Sequence, residues 1–459
     1  MSKYSIDYKN IIRGESSSDW LPDRGFSPVS YGLNLTKTKG VLYFAPDATT
    51  LATAPTGNMI ASADDRNYLG NDKYFLDDEG AVYTLSGTTL TKRQTSASTF
   101  VVGTSDMLQF NLSTYYTSTD SLHESTGSDL ATCERIWGGA LNSSFRHPLE
   151  IIEDEMFVAN KNVIFFLNNA GTTGTAFTLP NNVNVTSLRK HPDGRTLLAF
   201  CGTTGDLNGA RTRAGKGYVY YCNPLLRDWT REVEIQSQIE GSRLVGGIVY
   251  VTWGKKFGYF NGDGLSPIKY IETSATTYSH AMSNMEDILL LRDGLNLKAY
   301  GDLGVGNVWW NIFKTATQNI NCVAYKGDNK VLVAFSDGGS AGVLQQIDYD
   351  DAGVAGIFVG NREFFGDKVH IDRIEMLHDQ TDTAGTTAFS VHQRGEAGGI
   401  NLSNDKRHGQ IEAISYVNQS IYETFISTDI LATNFQFYLA PVTDNIGFQE
   451  VRIYYEPDN

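Results

Sequence analysis

The chain has 459 residues, 41% hydrophobic and 19% charged, so it is long enough to bury a large core and too apolar for a disordered protein. Lys and Arg number 37 against 52 Asp and Glu, a net charge of −15, which excludes a surface built to neutralise phosphates over its whole extent. With 45 glycines, only 11 prolines, 24 Tyr and 23 Phe, the composition suits many short strands joined by tight turns.

The opening MSKYSIDYKN has no apolar stretch, so no signal peptide is expected. The longest apolar runs, such as 248–253, are strand-sized and far short of the roughly 20 residues of a membrane helix. The expectation is synthesis in a cytoplasm without membrane insertion. Residues 1–45, including Glu15-Ser16-Ser17-Ser18-Asp19-Trp20-Leu21-Pro22, show no sustained periodicity. They read as an extended arm anchored by Trp20, packed along the main body or onto a neighbour.

From residue 46 a pattern recurs: an apolar strand, a short Gly/Asp/Asn turn, then a strand rich in aromatics. It runs 74–76 to 82–85, 156–159 to 163–167, 196–200 to 218–221, 248–253 to 257–260, 288–291 to 295–300 and 331–335 to 343–347. The centres of the second strands are Tyr83, Phe165, Tyr220, Tyr259, Ala299 and Gln346, separated by 82, 55, 39, 40 and 47 residues. The first gap is twice 41 and should conceal a degenerate copy near 98–140, making seven units. Units of about 40 residues with four short strands predict a seven-bladed β-propeller, in which each small sheet covers its neighbours. The unbroken apolar runs then belong to strands covered on both faces. A set of unrelated β-sandwiches is the competing reading.

From Phe365 onward the pattern alternates more cleanly, as in Lys368-Val369-His370-Ile371-Asp372-Arg373-Ile374 and Gln449-Glu450-Val451-Arg452-Ile453-Tyr454-Tyr455, the mark of half-buried antiparallel strands. The predicted organisation is an arm over 1–45, a propeller over 46–364 and a β-sandwich over 365–459. The last part carries 6 basic and 14 acidic residues, so it holds most of the excess acidity per residue.

Chemical motifs are absent. The cysteines at 133, 201, 222 and 322 form no CxxC pair. Cys201 and Cys222 end adjacent predicted strands, roughly 13 Å apart if the strands are antiparallel, beyond disulfide reach. There is no HExxH, phosphate-binding loop or GxSxG elbow. His370, His378, His392 and His408 lack metal-ligand spacing, and the calcium-loop-like Asp348-Tyr349-Asp350-Asp351-Ala352-Gly353 has Val359 where a glutamate is required. Neither a metal nor a cofactor is expected. Ser336-Asp337-Gly338-Gly339 lacks the spacing and tryptophan of the turns typical of propeller glycosidases. One segment stands out: 202–217 is a glycine-rich insertion bearing Arg211, Arg213 and Lys216 in an acidic protein. Long loops on rigid scaffolds often carry contacts, so these three are the candidate binding residues, facing an acidic subunit or partner.

An irregular arm, a degenerate propeller without enzyme signatures and an acidic C-terminal sandwich together resemble the structural tail proteins of tailed bacteriophages. The stretch from Gly25-Phe26-Ser27-Pro28 to Gly40-Val41-Leu42-Tyr43 resembles the lead-in of such chains. The resemblance is architectural and assigns no functional residue. It implies a non-catalytic virion component of the nozzle or hub type, made in the host cytoplasm. Such proteins assemble with copies of themselves in a ring, often sixfold, and with other tail proteins. An acidic wall would let DNA slide past without tight binding. The alternatives are a propeller that binds or degrades host-surface glycans and a cytoplasmic interaction scaffold.

Overall fold

The computed structural model describes residues 4–8, 15–16, 27–28, 30, 33–35, 42–51, 55–64, 73–95, 98–126, 132–137, 141–203, 216–271, 278–303, 307–315, 317–336, 342–351, 358–359, 363–378, 387–393, 406–412, 422–441 and 447–458. The fold is all-β, with helix among these residues limited to the 3-10 turn Ser279–Ala281.

Between residues 59 and 348 the chain forms successive antiparallel meanders. Their first strands are Met59–Asp64, Met107–Phe110, Leu149–Ile152, Val183–Lys190, Gly241–Val245, Met282–Met285 and Ile320–Gly327. Among the described residues each heads a four-stranded sheet. Each first strand touches the next, and Ile320–Gly327 returns to Met59–Asp64, so the ring closes. This is a β-propeller. The interval expected to conceal a degenerate copy holds the sheet that begins at Met107–Phe110 and ends at Thr132–Trp137.

The burial pattern explains why the sequence alternates so little. In Leu197–Thr203, a second strand, the first six residues are all buried, because a neighbouring sheet covers each face. The outermost strand Asp228–Ile235 is largely exposed. Adjacent sheets share apolar cores: Phe200 meets Phe260 edge-on at 5.7 Å, and Phe257 meets Trp309 at 5.3 Å. Burying such a ring contributes about 1.5–3 kcal/mol.

The seventh sheet takes its fourth strand from far upstream. Thr49 and Thr50 pair with Gln346 and Gln345. The chain then enters the first sheet past a clasp at Asp77, a fully buried carboxylate. Asp77 accepts the Gly57 N–H at 3.1 Å, the Ala81 N–H at 2.7 Å and the Tyr83 hydroxyl at 3.0 Å. Asp78 accepts the Asn58 N–H at 2.8 Å.

Two further four-stranded sheets are built mainly from strands beyond residue 351. One orders Tyr4–Tyr8, Phe448–Pro457, Glu363–His378 and Tyr422–Phe435; the other orders Phe358–Val359, Phe437–Pro441, Thr387–Gln393 and Lys406–Glu412. Phe358–Val359 thus pairs into this C-terminal region ahead of residue 365. Both sheets feed one core, including Ile374, Phe437 and Val451, that continues into Trp310 of the sixth propeller sheet and Phe44. Of the arm, Tyr4–Tyr8 is a regular strand on the C-terminal sheet, while Trp20 lies outside the described residues.

Candidate functional site

The first strands surround an axial cavity of about 460 Å³. Its walls differ by sector. The second and third sheets contribute Asp106, Glu150 and Glu153; the fourth and fifth contribute Arg189, Lys190 and Arg243; the first and seventh contribute uncharged residues such as Ser62, Ala63 and Ala324.

These charges are tied to one another. His280 Nε2 lies 2.5 Å from Asp106 Oδ1, while its Nδ1 accepts the Ser62 N–H at 3.3 Å. An acceptor at Nδ1 places the ring proton on Nε2, so His280 donates to Asp106. Asp106 Oδ2 also accepts the Leu149 N–H at 2.8 Å. Burial pushes the Asp106 carboxyl up, but His280, the Leu149 N–H and Arg189 together outweigh it and hold the group below the ordinary carboxylate range. Arg189 donates through Nε to the Ser242 carbonyl at 2.7 Å and through Nη1 to Glu150 at 3.2 Å. Arg243 donates twice to Asn284 Oδ1, at 3.2 and 3.0 Å.

Connections between sheets pack against the first strands. The turn Ser279–Ala281 touches first strands of the first, fifth, sixth and seventh sheets. Ser279 Oγ accepts the Ser242 N–H at 3.2 Å. The Arg146 guanidinium lies 4.8 Å from the centre of the Tyr278 ring and donates to the Glu240 carbonyl at 2.8 Å. Beside it His147 sits between two carbonyl oxygens, Ala159 at 3.1 Å from Nδ1 and Thr119 at 3.0 Å from Nε2. Burial holds its imidazole below the ordinary value.

This arrangement can hold water or a small polar solute. A general base needs a lone pair within reach of a substrate proton, and the Nδ1 lone pair of His280 already accepts the Ser62 N–H.

The sequence candidates lie elsewhere. Lys216 is on the surface and paired with Glu234 at 2.7 Å, which raises its proton affinity. Arg211 and Arg213 lie outside the described residues. In the 348–351 turn, Asp348 meets Lys330 at 3.3 Å and Asp350 accepts from Asn329 at 2.6 Å. Among the described residues no group of three His, Cys, Asp or Glu could hold a metal ion. Cys201 and Cys222 stand at opposite ends of a paired ladder, facing Tyr218 and Leu197, and with Cys322 they are buried free thiols. No helix among the described residues is long and apolar enough to cross a membrane.

The axial residues were missed, although a signal exists. Asp106, Glu150, Arg189, Arg243 and Asn284 follow one another at 44, 39, 54 and 41 residues, close to the repeat of the sheets.

No family model and no curated protein matches this chain. Among solved structures it is similar to a streptogramin B lyase, with 11% identity and a TM-score of 0.49 over 66% of this chain and 97% of that one. It is also similar to a catalytically inactive virginiamycin B lyase from Staphylococcus aureus with quinupristin, at 10% identity and 0.49 over 66% and 98%. The Neurospora crassa Pan2 WD40 domain stands at 9% and 0.45 over 67% and 96%. The β-propeller assignment rests on the chain's own closed ring of sheets.

Proposed function

We propose that this protein is a non-catalytic structural component of a bacteriophage tail, a seven-bladed β-propeller with a C-terminal β-sandwich that assembles as a homo-oligomeric ring with other tail proteins. The observation that carries the reading is the bonding inside the axial cavity. Asp106, His280, Glu150 and Arg189 hold one another and the backbone, as expected of a part whose polar interior fixes its shape. Side chains from the first strands and from the Ser279–Ala281 turn crowd the cavity, among them Met107, Leu108, Arg189, Arg243 and His280. In this reading DNA passes through an opening between copies, where a chain carrying −15 avoids arresting it.

Electron microscopy of the purified protein, with mass spectrometry of purified virions, tests this. Ring-shaped particles and presence in the virion are expected; a dispersed monomer absent from particles would overturn the reading. The glycan alternative finds support in the carboxylates Asp106 and Glu150 of the cavity wall. Against it, no Phe, Tyr or Trp stands among the lining residues to stack on a sugar. Sugar release from host-surface glycans, abolished by Glu150→Gln, would favour it over the tail reading.

A further inference from the structure

We infer that the axial cavity is a binding site for a phosphate group, free or carried on a small solute, held by the guanidinium groups of Arg189 and Arg243, the ammonium of Lys190 and the hydroxyl of Ser283. The site goes beyond the tail reading and does not depend on it.

The bonding in the cavity leaves donors in excess. Its carboxylates are already supplied. Asp106 Oδ1 accepts from His280 Nε2 and from the Met107 N–H at 2.8 Å, and Oδ2 accepts the Leu149 N–H. Glu150 Oε1 accepts the Ile151 N–H at 3.0 Å, and Oε2 accepts from Arg189 Nη1 at 3.2 Å. Glu153, the third carboxylate of the wall, sits in the exposed turn that follows Leu149–Ile152.

The cations are not used up in the same way. Only 14% of the Arg189 side chain is exposed. It donates through Nε and Nη1, while Nη2 meets no acceptor among the described residues. Lys190 also lines the cavity, and its ammonium has no ion-pair or hydrogen-bond partner among them. The same holds for the hydroxyl of Ser283, a residue 3% exposed. Donors kept from water without an acceptor are costly, and one oxyanion relieves several of them at once.

The arrangement selects the ligand. Arg189 and Lys190 belong to the first strand of the fourth sheet, Arg243 to that of the fifth and Ser283 to that of the sixth. The Ser242 carbonyl fixes Arg189, and Asn284 fixes Arg243. Neither guanidinium therefore has to be ordered when a ligand arrives. Donors from three sheets around an axis approach from several sides, which fits a tetrahedral oxyanion better than a planar carboxylate. Guanidinium groups also match phosphate oxygens with paired N–H bonds. The net charge of −15 works against anion binding at the outer surface, so one-to-one binding is expected. A phosphate held there ties the fourth, fifth and sixth sheets together, and a ligand that binds only the folded chain raises its stability.

Titration calorimetry of the full-length protein with inorganic phosphate, glycerol phosphate and acetate, at constant ionic strength set with chloride, tests this. One equivalent of either phosphate or of both should bind and raise the thermal transition, and which of them binds separates a free ion from an esterified group. Acetate should bind about tenfold more weakly or less. Arg243→Gln and Lys190→Met should each weaken phosphate binding about tenfold or more, the loss of one charge-assisted hydrogen bond. Glu150→Gln removes a negative charge beside Arg189 and should bind phosphate more tightly, a gain that misfolding cannot produce. Absence of heat and of any thermal shift with both phosphates would overturn the inference. Acetate binding as tightly as phosphate would do the same. Unchanged affinity in Arg243→Gln and Lys190→Met would place the ion elsewhere, and a folded Glu150→Gln protein without tighter binding would also count against the site.

Discussion

Gly103 lies against the ring of Tyr278, so close that a β-carbon on it would come within 2.4 Å of the ring atoms. Its φ of +76° is also one that side chains resist. The two residues belong to connections that enter the second and sixth sheets. Gly103→Ala should destabilise the protein by about 1–3 kcal/mol, read as a lower urea midpoint. An unchanged midpoint would mean that Tyr278 moves aside freely.

The Asp77 clasp makes a second prediction. It holds the Gly57 and Ala81 N–H groups and the Tyr83 hydroxyl just after the strand that closes the ring. Asp77→Ala leaves buried donors without an acceptor, a loss of about 3 kcal/mol or more. Limited proteolysis should then cut within 49–58 sooner than in the wild type.

Two groups contribute to the acid side of the stability curve. Burial holds His147 below its ordinary value of 6.5, so the unfolded chain takes up this proton first. Its contribution is complete above about pH 6.5 and is lost as pH falls toward the folded value, with a slope of at most about 1.4 kcal/mol per pH unit. Asp106, held below 3.8, contributes above that pH and loses its share as pH falls below it. Urea midpoints measured from pH 7.5 to 5 should fall in the wild type and stay flatter in His147→Gln.

His280→Ala removes the donor to Asp106 and the acceptor for Ser62. Asp106 keeps the Leu149 and Met107 N–H donors, so losing the His280 bond should cost about 1–3 kcal/mol. His280→Gln, able to donate to Asp106, should recover part of that in the same melt.

The propeller was legible because its units repeat: Tyr83, Phe165, Tyr220, Tyr259, Ala299 and Gln346 each fall in the third strand of a sheet. The second strands were legible because both of their faces are covered, giving runs such as Leu197–Thr203 without alternation. The long-range pairings were not. Nothing in Thr49-Thr50 marks it as a strand, since two threonines gain their place only from the ladder on Gln345 and Gln346. The axial residues stayed hidden for a related reason. His280 and Asp106 lie 174 residues apart and meet only once the ring has formed. The basic insertion drew notice by its composition, yet Lys216 forms a surface pair with its own sheet.

The seam of the seventh sheet sets the timetable of synthesis. Thr50 and Gln345 are 295 residues apart along the chain. At roughly 5–20 residues per second, translation needs about 15–60 s to travel that distance. For that interval six sheets can emerge from the ribosome and stack, while Thr49–Thr50 waits without a partner and the seventh sheet is unfinished. A nascent chain stalled short of residue 346 should therefore remain open, and a chaperone that shields strand edges should act on it longest there.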